Sequence, residues 1–427
     1  MSIHLRRVSW KCCGAVFALL AAALLWGGSA ADAVTVTMIA ETRDTHLAWQ
    51  REIVEAFQKL HPDIRVELVD TAGVGLVPKM QAMLAGGVPL DIGYMDPWLV
   101  VEWGKSGILV DLAPYIERER EHFADWPDPV FAFYQTGDGL YGIPQDLQVG
   151  GMFYNIDMFE SAGVRLPDAE WTYADLEDMS RRLRIIGPDG AVTRWGLRLP
   201  ASRNWIPVVW AFGGDLVDDW SDPTRFTGNT PETAEALRYL QNLVTIGAAQ
   251  DRVSNSRIPF AQAFPAQHVG IIQSNTISMA AFYSITDFAW DVAPLPKGPT
   301  GRAGFINAIG WFMFESSDHK AEAWELLKFM TSPEALARRV EITGNMPPSL
   351  GVMTSVWLPG LERPASRHLL LDEISHARSP WPLNGDLFNV MNDEAFKAFW
   401  GQQPVESAIA TMDRLVTAML EQAGKAR

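Results

Sequence analysis

Residues 34–69 read VTVTMIAETRDTHLAWQREIVEAFQKLHPDIRVELV. The first six alternate as a strand does. Trp49, Ile53, Phe57 and Leu60 then recur at spacings of four, four and three, which predicts a helix with Asp44 or Thr45 as its N-cap and His61-Pro62 as its stop. Ile64, Val66 and Leu68 alternate with Arg65 and Glu67, giving a second strand. The segment is therefore strand, helix, strand.

Downstream the pattern continues. A helix around Val77, Met80 and Leu84 stops at Gly86-Gly87, and a short apolar strand covers 90–95. Such alternation predicts an α/β fold with a central, mostly parallel sheet flanked by helices. Ligands of such sheets sit beyond the carboxyl ends of the strands, which singles out Glu41, Arg43 and Asp44 after the first strand and Asp96 and Trp98 after the third. By the same rule Asn275 and Thr276, where HVGII turns polar, are candidates. Each has a plainer alternative: Asp44 as a helix cap, Asp96 as a turn acid, Trp98 as a packing ring. Further helices begin at the capping box Thr172 to Asp175, at Thr230-Pro231, after Ser317-Asp318 and at Ser332-Pro333, and a last one runs from Pro404 to about Gln422.

Upstream, Arg6, Arg7 and Lys11 precede an apolar run from Cys12 to Trp26, broken at Gly27-Gly28 and followed by Ala31-Asp32-Ala33. This is the layout of a signal peptide cleaved near Ala33, too short for an ordinary span; the arginine pair leaves twin-arginine export open beside the general route. Neither Cys12 nor Cys13 ends the apolar run, so a lipoprotein signal is not expected, and the mature chain lacks cysteine. Removing residues 1–33 takes the net charge from −16 to −18, which makes nucleic acid and anionic membranes poor partners. The remaining 394 residues suggest two domains. The acidic residues Asp215, Asp218, Asp219 and Asp222 lack EF-hand spacing and read as a solvated turn, so no metal or cofactor is expected.

Six stretches in order carry a resemblance. They are AFQKLHPDIRVELV (56–69), GGVPLDIGYMDPWLVVEWGKSGILVDL (86–112), GLYGIPQDLQVGGMFYNIDMFESAGV (139–164), FGGDLVDDW (212–220), HVGIIQSNT (268–276) and HKAEAWELLKFMTSPEALARRVEITGNMPPS (319–349). Together they resemble the extracellular solute-binding proteins of the sugar-binding type, the periplasmic component of ATP-driven importers. In the third stretch Tyr154-Asn155 stands ten residues after Pro144, as in that family; in the second, Leu90 departs from its pattern while Asp91 keeps the acid.

The resemblance implies a two-lobed periplasmic-binding-protein fold with the ligand between lobes. It places three crossings near 145–148, near 292–296 and after the helix at Ser332. The N-terminal lobe would comprise 34–146 plus 296–345, and the C-terminal lobe 147–295 plus 346–427. It adds Gln145, Asp146, Gln148, Trp205, Trp210, Asn307, Trp311 and Trp381 to the candidate contacts. It also implies a carbohydrate or polyol ligand, membrane permease subunits as partners, a monomer, and no catalysis. A secreted glycosidase would show similar acids and tryptophans, and a phosphorylated solute would call on Arg43, Arg203 or Arg257.

Overall fold

The computed structural model describes residues 33–71, 74–360, 362–380 and 384–426. The signal-peptide reading, both cysteines and Trp381 lie outside them. Among the described residues no helix is long and apolar enough to cross a membrane.

The opening segment folds as strand β1 (Val34–Ile39), helix α1 (Asp44–Leu60) and strand β2 (Ile64–Val69). Trp49, Ile53, Val54 and Phe57 form the buried stripe of α1. Arg43, not Asp44, occupies the N-cap position, and no side chain caps there. β1 pairs in parallel with β2 and with β3 (Ile92–Met95), and helix α2 (Pro97–Lys105) leaves the end of β3.

Strand β4 (Ile143–Asn155) is 13 residues long and buried throughout. It pairs with β6 (Val269–Asn275), β7 (Trp290–Ala293) and β8 (Gly304–Met313), and β5 (Val192–Arg198) pairs with β6 in turn. The sheet order is β2-β1-β3-β8-β4-β6-β5, continued by the two-residue strand Ile185–Ile186 beyond β5, with β7 added to the far end of β4 and Ala377–Arg378 paired to β8. Residues 143–149 of β4 pair with β8, which also pairs with β3; residues 150–154 pair with β6, and 152–155 with β7. β4 therefore belongs to two half-sheets in turn, and β8 runs antiparallel beside its first part. The outer pairs β1–β2, β1–β3 and β5–β6 are parallel as expected, while the two long strands between them are antiparallel. The changeover falls at Gly150-Gly151, where a Cβ on Gly150 would lie 2.4 Å from the Phe305 ring; only glycine lets the two strands approach there.

The first crossing expected near 145–148 falls in β4. In the segment near 292–296, Val292 lies in β7, which pairs with the second part of β4, while β8 pairs with the first part of β4 and with β3. After helix α5 (Pro333–Thr343), Met346 bridges to Leu147. One apolar core extends from the first half-sheet to one face of the second, and another fills the opposite face of the second.

Candidate ligand-binding cleft

The chain between β1 and α1 is fixed from below by Gln50, a buried residue of α1. Its Oε1 accepts from Glu41 N (2.8 Å) while its Nε2 donates to Ile39 O (3.0 Å). Tyr94 Oη, from β3, accepts from Thr42 N (3.2 Å). Beyond β3, Asp96 stands at the N-cap position of α2 without capping it, and its Oδ1 accepts instead from Asn307 Nδ2 of β8 (3.1 Å). Glu41, Arg43, His46, Tyr94, Asp96 and Ile309 thus line one pocket of about 140 Å³.

The wall behind it is ionic. Arg339 of α5 donates through Nη2 to Gln145 Oε1 and Asp146 Oδ2 (3.0 Å each), lies 3.6 Å from Glu41 Oε1, and sits 4.5 Å above the Trp49 ring. Asn345 Nδ2 donates to Asp146 Oδ2 (2.9 Å) and meets His46 Nε2 (2.9 Å). Seven buried polar atoms of this cluster have no hydrogen-bond partner in the protein: Glu41 Oε1, Gln145 Nε2, Asp146 Oδ1, Asn307 Oδ1, Asn345 Oδ1, and Nε and Nη1 of Arg339. Most buried polar atoms are paired, so a concentration of unpaired ones behind a pocket marks a place built to meet a polar guest.

Strand alternation explains which side chains share this face. Asp146 and Gln148 are two apart in β4, and Asn307 and Ile309 of β8 stand opposite Gln148 and Asp146. The register shifts between Ile309 and Gly310, so Gln145 has no residue opposite it and turns to Arg339. From the second half-sheet, Asn275 Nδ2 reaches Gln148 Oε1 at 3.5 Å, and its Oδ1 caps the following helix through Ser278 N (3.1 Å).

Electrostatics follow from burial. Burial pushes the Glu41 carboxyl up to about 7, against the pull of Arg339, and raises Asp96 against its bond from Asn307. Burial and the Arg339 charge hold His46 down at about 3, so it is neutral. Arg203, buried in the second half with Nη1 on Pro380 O (2.7 Å) and its guanidinium 4.0 Å over the Phe388 ring, is lowered to about 10 by burial, and its charge acts on Asp96. The surroundings therefore hold three carboxyl groups (Glu41, Asp96, Asp146) against three guanidiniums (Arg43, Arg203, Arg339).

The expected residues divide accordingly. Glu41, Arg43 and Asp96 line the pocket; Gln145, Asp146, Gln148, Asn307 and Asn275 stand behind or beside it. Asp44 is the exposed first residue of α1 and is not among the lining residues. Thr276 is fully buried, and its hydroxyl donates to Leu147 O (2.6 Å) and accepts from Val149 N (3.2 Å), so it ties strands together. Trp205 is buried against Phe399 with Nε1 on Asn392 Oδ1; Trp210 is buried with Nε1 on Asp215 and Arg378 over its ring; Trp311 is buried edge-on to Tyr94. These three rings are core, offering no face to a ligand. Trp98 is half-buried and lines a separate groove beside α2. In the acidic turn, Asp218 Oδ1 accepts from Thr224 N and Arg225 N, and Asp219 Oδ1 from Ser221 N.

His46, Arg339 and Asn345 escaped the sequence reading. His46 precedes Trp49 by three positions and Arg339 follows Leu336 by three, so both stand on apolar helix faces where a polar residue needs a partner.

The sequence model of bacterial extracellular solute-binding proteins matches residues 40–337. The chain belongs to that family. Among relatives of this solute-binding protein, the lactose-binding protein of Rhizobium radiobacter is 30% identical over 331 residues, 73% of this chain and 74% of its own. A putative binding protein of Brucella abortus is 25% identical over 326 residues, 75% of this chain and 77% of its own. Among solved structures, an ABC substrate-binding protein of Listeria monocytogenes in complex with cycloalternan superposes with a TM-score of 0.80 at 24% identity, covering 91% of this chain and all of the other. The fold is that of the two-lobed solute-binding proteins, a family of binders and not of enzymes.

Proposed function

We propose that this protein captures a neutral carbohydrate or polyol between its lobes and hands it, chemically unchanged, to the permease of an ATP-driven importer. The observation that carries the reading is the pocket lined by Glu41 and Asp96, with buried donors and acceptors that lack hydrogen-bond partners in the protein and charged groups of both signs behind it. Hydroxyl groups both donate and accept, so a polyhydroxylated guest can pair such a mixed set, whereas a net charge would leave one sign in excess. The lactose specificity named for one relative and the cycloalternan bound to one structural neighbour agree with this.

The lobe boundaries follow the half-sheets. One lobe carries β1–β3 and the first part of β4, the other carries β5–β7 and the rest of β4, and β4, β8 and the segment after α5 tether them. The mature protein is a periplasmic monomer without a lipid anchor, a reading supported by the position of Cys12 and Cys13 at the start of the apolar run.

A thermal-shift screen of neutral saccharides, polyols, sugar phosphates and polyamines tests the function. A ligand at a hundred times its dissociation constant stabilises by about 2.7 kcal/mol. The expected result is a shift with a neutral saccharide or polyol. A response confined to charged solutes, or turnover of the saccharide, would overturn the reading.

A further inference from the structure

The acidic turn at 215–222 holds one of its carboxylates toward the first half of the molecule. Asp215 Oδ1 accepts from the indole nitrogens of Trp210 and Trp220 (3.0 Å each), which anchors the start of the turn to the core of the second half. Asp218 Oδ1 accepts from Thr224 N (2.9 Å) and Arg225 N (3.0 Å), and Asp219 Oδ1 from Ser221 N (2.7 Å) and Asp222 N (3.1 Å). Three acids thus shape and anchor the turn, and the backbone they fix presents the fourth, Asp222, to α2. Lys105, the last residue of α2, donates through Nζ to Asp222 Oδ1 (3.1 Å) and to Ser221 O (3.3 Å).

The same face of α2 makes a second contact with the other half. Glu102 lies one helical turn before Lys105, and its Oε2 accepts from Asn384 Nδ2 at 3.4 Å. Asn384 is itself held in place, because its Oδ1 caps the helix Gly385–Phe399 through Asp386 N (2.8 Å). Between the halves at this point lies a groove of about 290 Å³, lined by Trp98 and Val101 from one side and by Leu387, Met419 and Leu420 from the other. Trp98 packs against the core of the first half, and Met419 and Leu420 against that of the second. The groove shares no lining residue with the Glu41–Asp96 pocket, so these contacts stand outside the ligand pocket.

We infer that α2 and the acidic turn form an electrostatic clasp, in which Lys105 with Asp222 and Ser221, seconded by Glu102 with Asn384, favours the shut arrangement of the halves and raises ligand affinity without touching the ligand. Its effect rests on the hinged, two-lobed reading above and is independent of which solute the pocket takes. Parting the halves breaks both contacts, so their strength enters the balance between open and shut directly. The apparent affinity of a ligand that needs the shut form scales with the fraction of molecules that are shut. An exposed pair of this kind shifts that balance by a factor of up to about five, and salt screens it.

Isothermal titration with the neutral saccharide that gives the largest thermal shift tests the clasp, at about 0.01 M and about 1 M salt, where the Debye length is roughly 30 Å and 3 Å. Lys105→Glu, which sets a like charge against Asp222, is expected to weaken binding at least about threefold at low salt and much less at high salt. Adding Asp222→Lys is expected to restore most of the loss, a rescue that a merely structural role for Lys105 does not produce. Both side chains are more than a third or about a third exposed, and thermal unfolding of each variant checks the fold. An affinity that Lys105→Glu leaves unchanged at low salt, or a loss that the charge swap does not restore, overturns the clasp and leaves the carbohydrate reading standing. Failure of every saccharide to bind counts against the carbohydrate reading alone. In that case small-angle scattering of the chain without ligand decides: Lys105→Glu is expected to show the larger radius of gyration at low salt, and equal radii overturn the clasp.

Discussion

Glu41 and His46 stand five residues apart, one before α1 and one in its first turn, and burial shifts them in opposite directions. Glu41 rises from 4.5 to about 7, so the folded state keeps a proton that the unfolded chain has lost, and stability falls as pH climbs through that interval. His46 drops from 6.5 to about 3, so the unfolded chain binds the extra proton and stability rises with pH over that range. The two oppose each other below 6.5. Above it Glu41 acts without that opposition and in the same direction as Glu373, which burial raises to about 8 despite Arg302. The melting temperature is therefore expected to decline from pH 6.5 to 8, and Glu41→Gln and Glu373→Gln should each flatten that decline; an unchanged slope in both would contradict these shifts. Arg339 anchors the wall behind the pocket, and removing one member of a buried ion pair costs about 3–5 kcal/mol. Arg339→Met should lose stability of that order by urea unfolding, and adding Asp146→Leu should recover part of it. Single residues were the least legible part of the sequence. Trp205, Trp210 and Trp311 have the composition of a sugar platform, but the partners of their rings come from residues that no local pattern identifies.

Helices with caps were legible because the signal is short-range. Thr172 and Asp175 form the reciprocal cap of the helix Tyr173–Leu183, Thr172 Oγ1 accepting from Asp175 N (3.2 Å) and Asp175 Oδ2 from Thr172 N (2.9 Å). Thr172→Ala is expected to cost about 1 kcal/mol in chemical denaturation, with ligand affinity unchanged. Strand β2 was legible for a similar reason, since its alternation survives where one face meets solvent. The long strands were not. β4 is buried on both faces, so its pattern marks a strand without marking its ends, and the crossing that the resemblance places near 292–296 falls at the end of β7, ahead of β8. The polar residues of β4 were the readable exception. Gln145, Asp146 and Gln148 stood out as expensive to bury without partners, and they form the seam at which the two half-sheets and α5 meet.

At the scale of the molecule, the two half-sheets share β4, and with the proposed tethers at β8 and the segment after α5 the proposed function has the halves rotate against each other about those strands. Among the described residues, Lys105 of α2 and Asp222 pair across the mouth. The Lys105–Asp222 pair is about one-third to two-fifths exposed on each side, and such pairs contribute roughly 0–1 kcal/mol. A ligand that bridges both halves therefore decides the balance between open and shut. Small-angle X-ray scattering on the mature chain, with and without the tightest saccharide found by titration, tests this most directly. The account requires the radius of gyration to fall and the profile to change on saturation. Identical profiles in the presence of a saturating, tightly bound saccharide would contradict it.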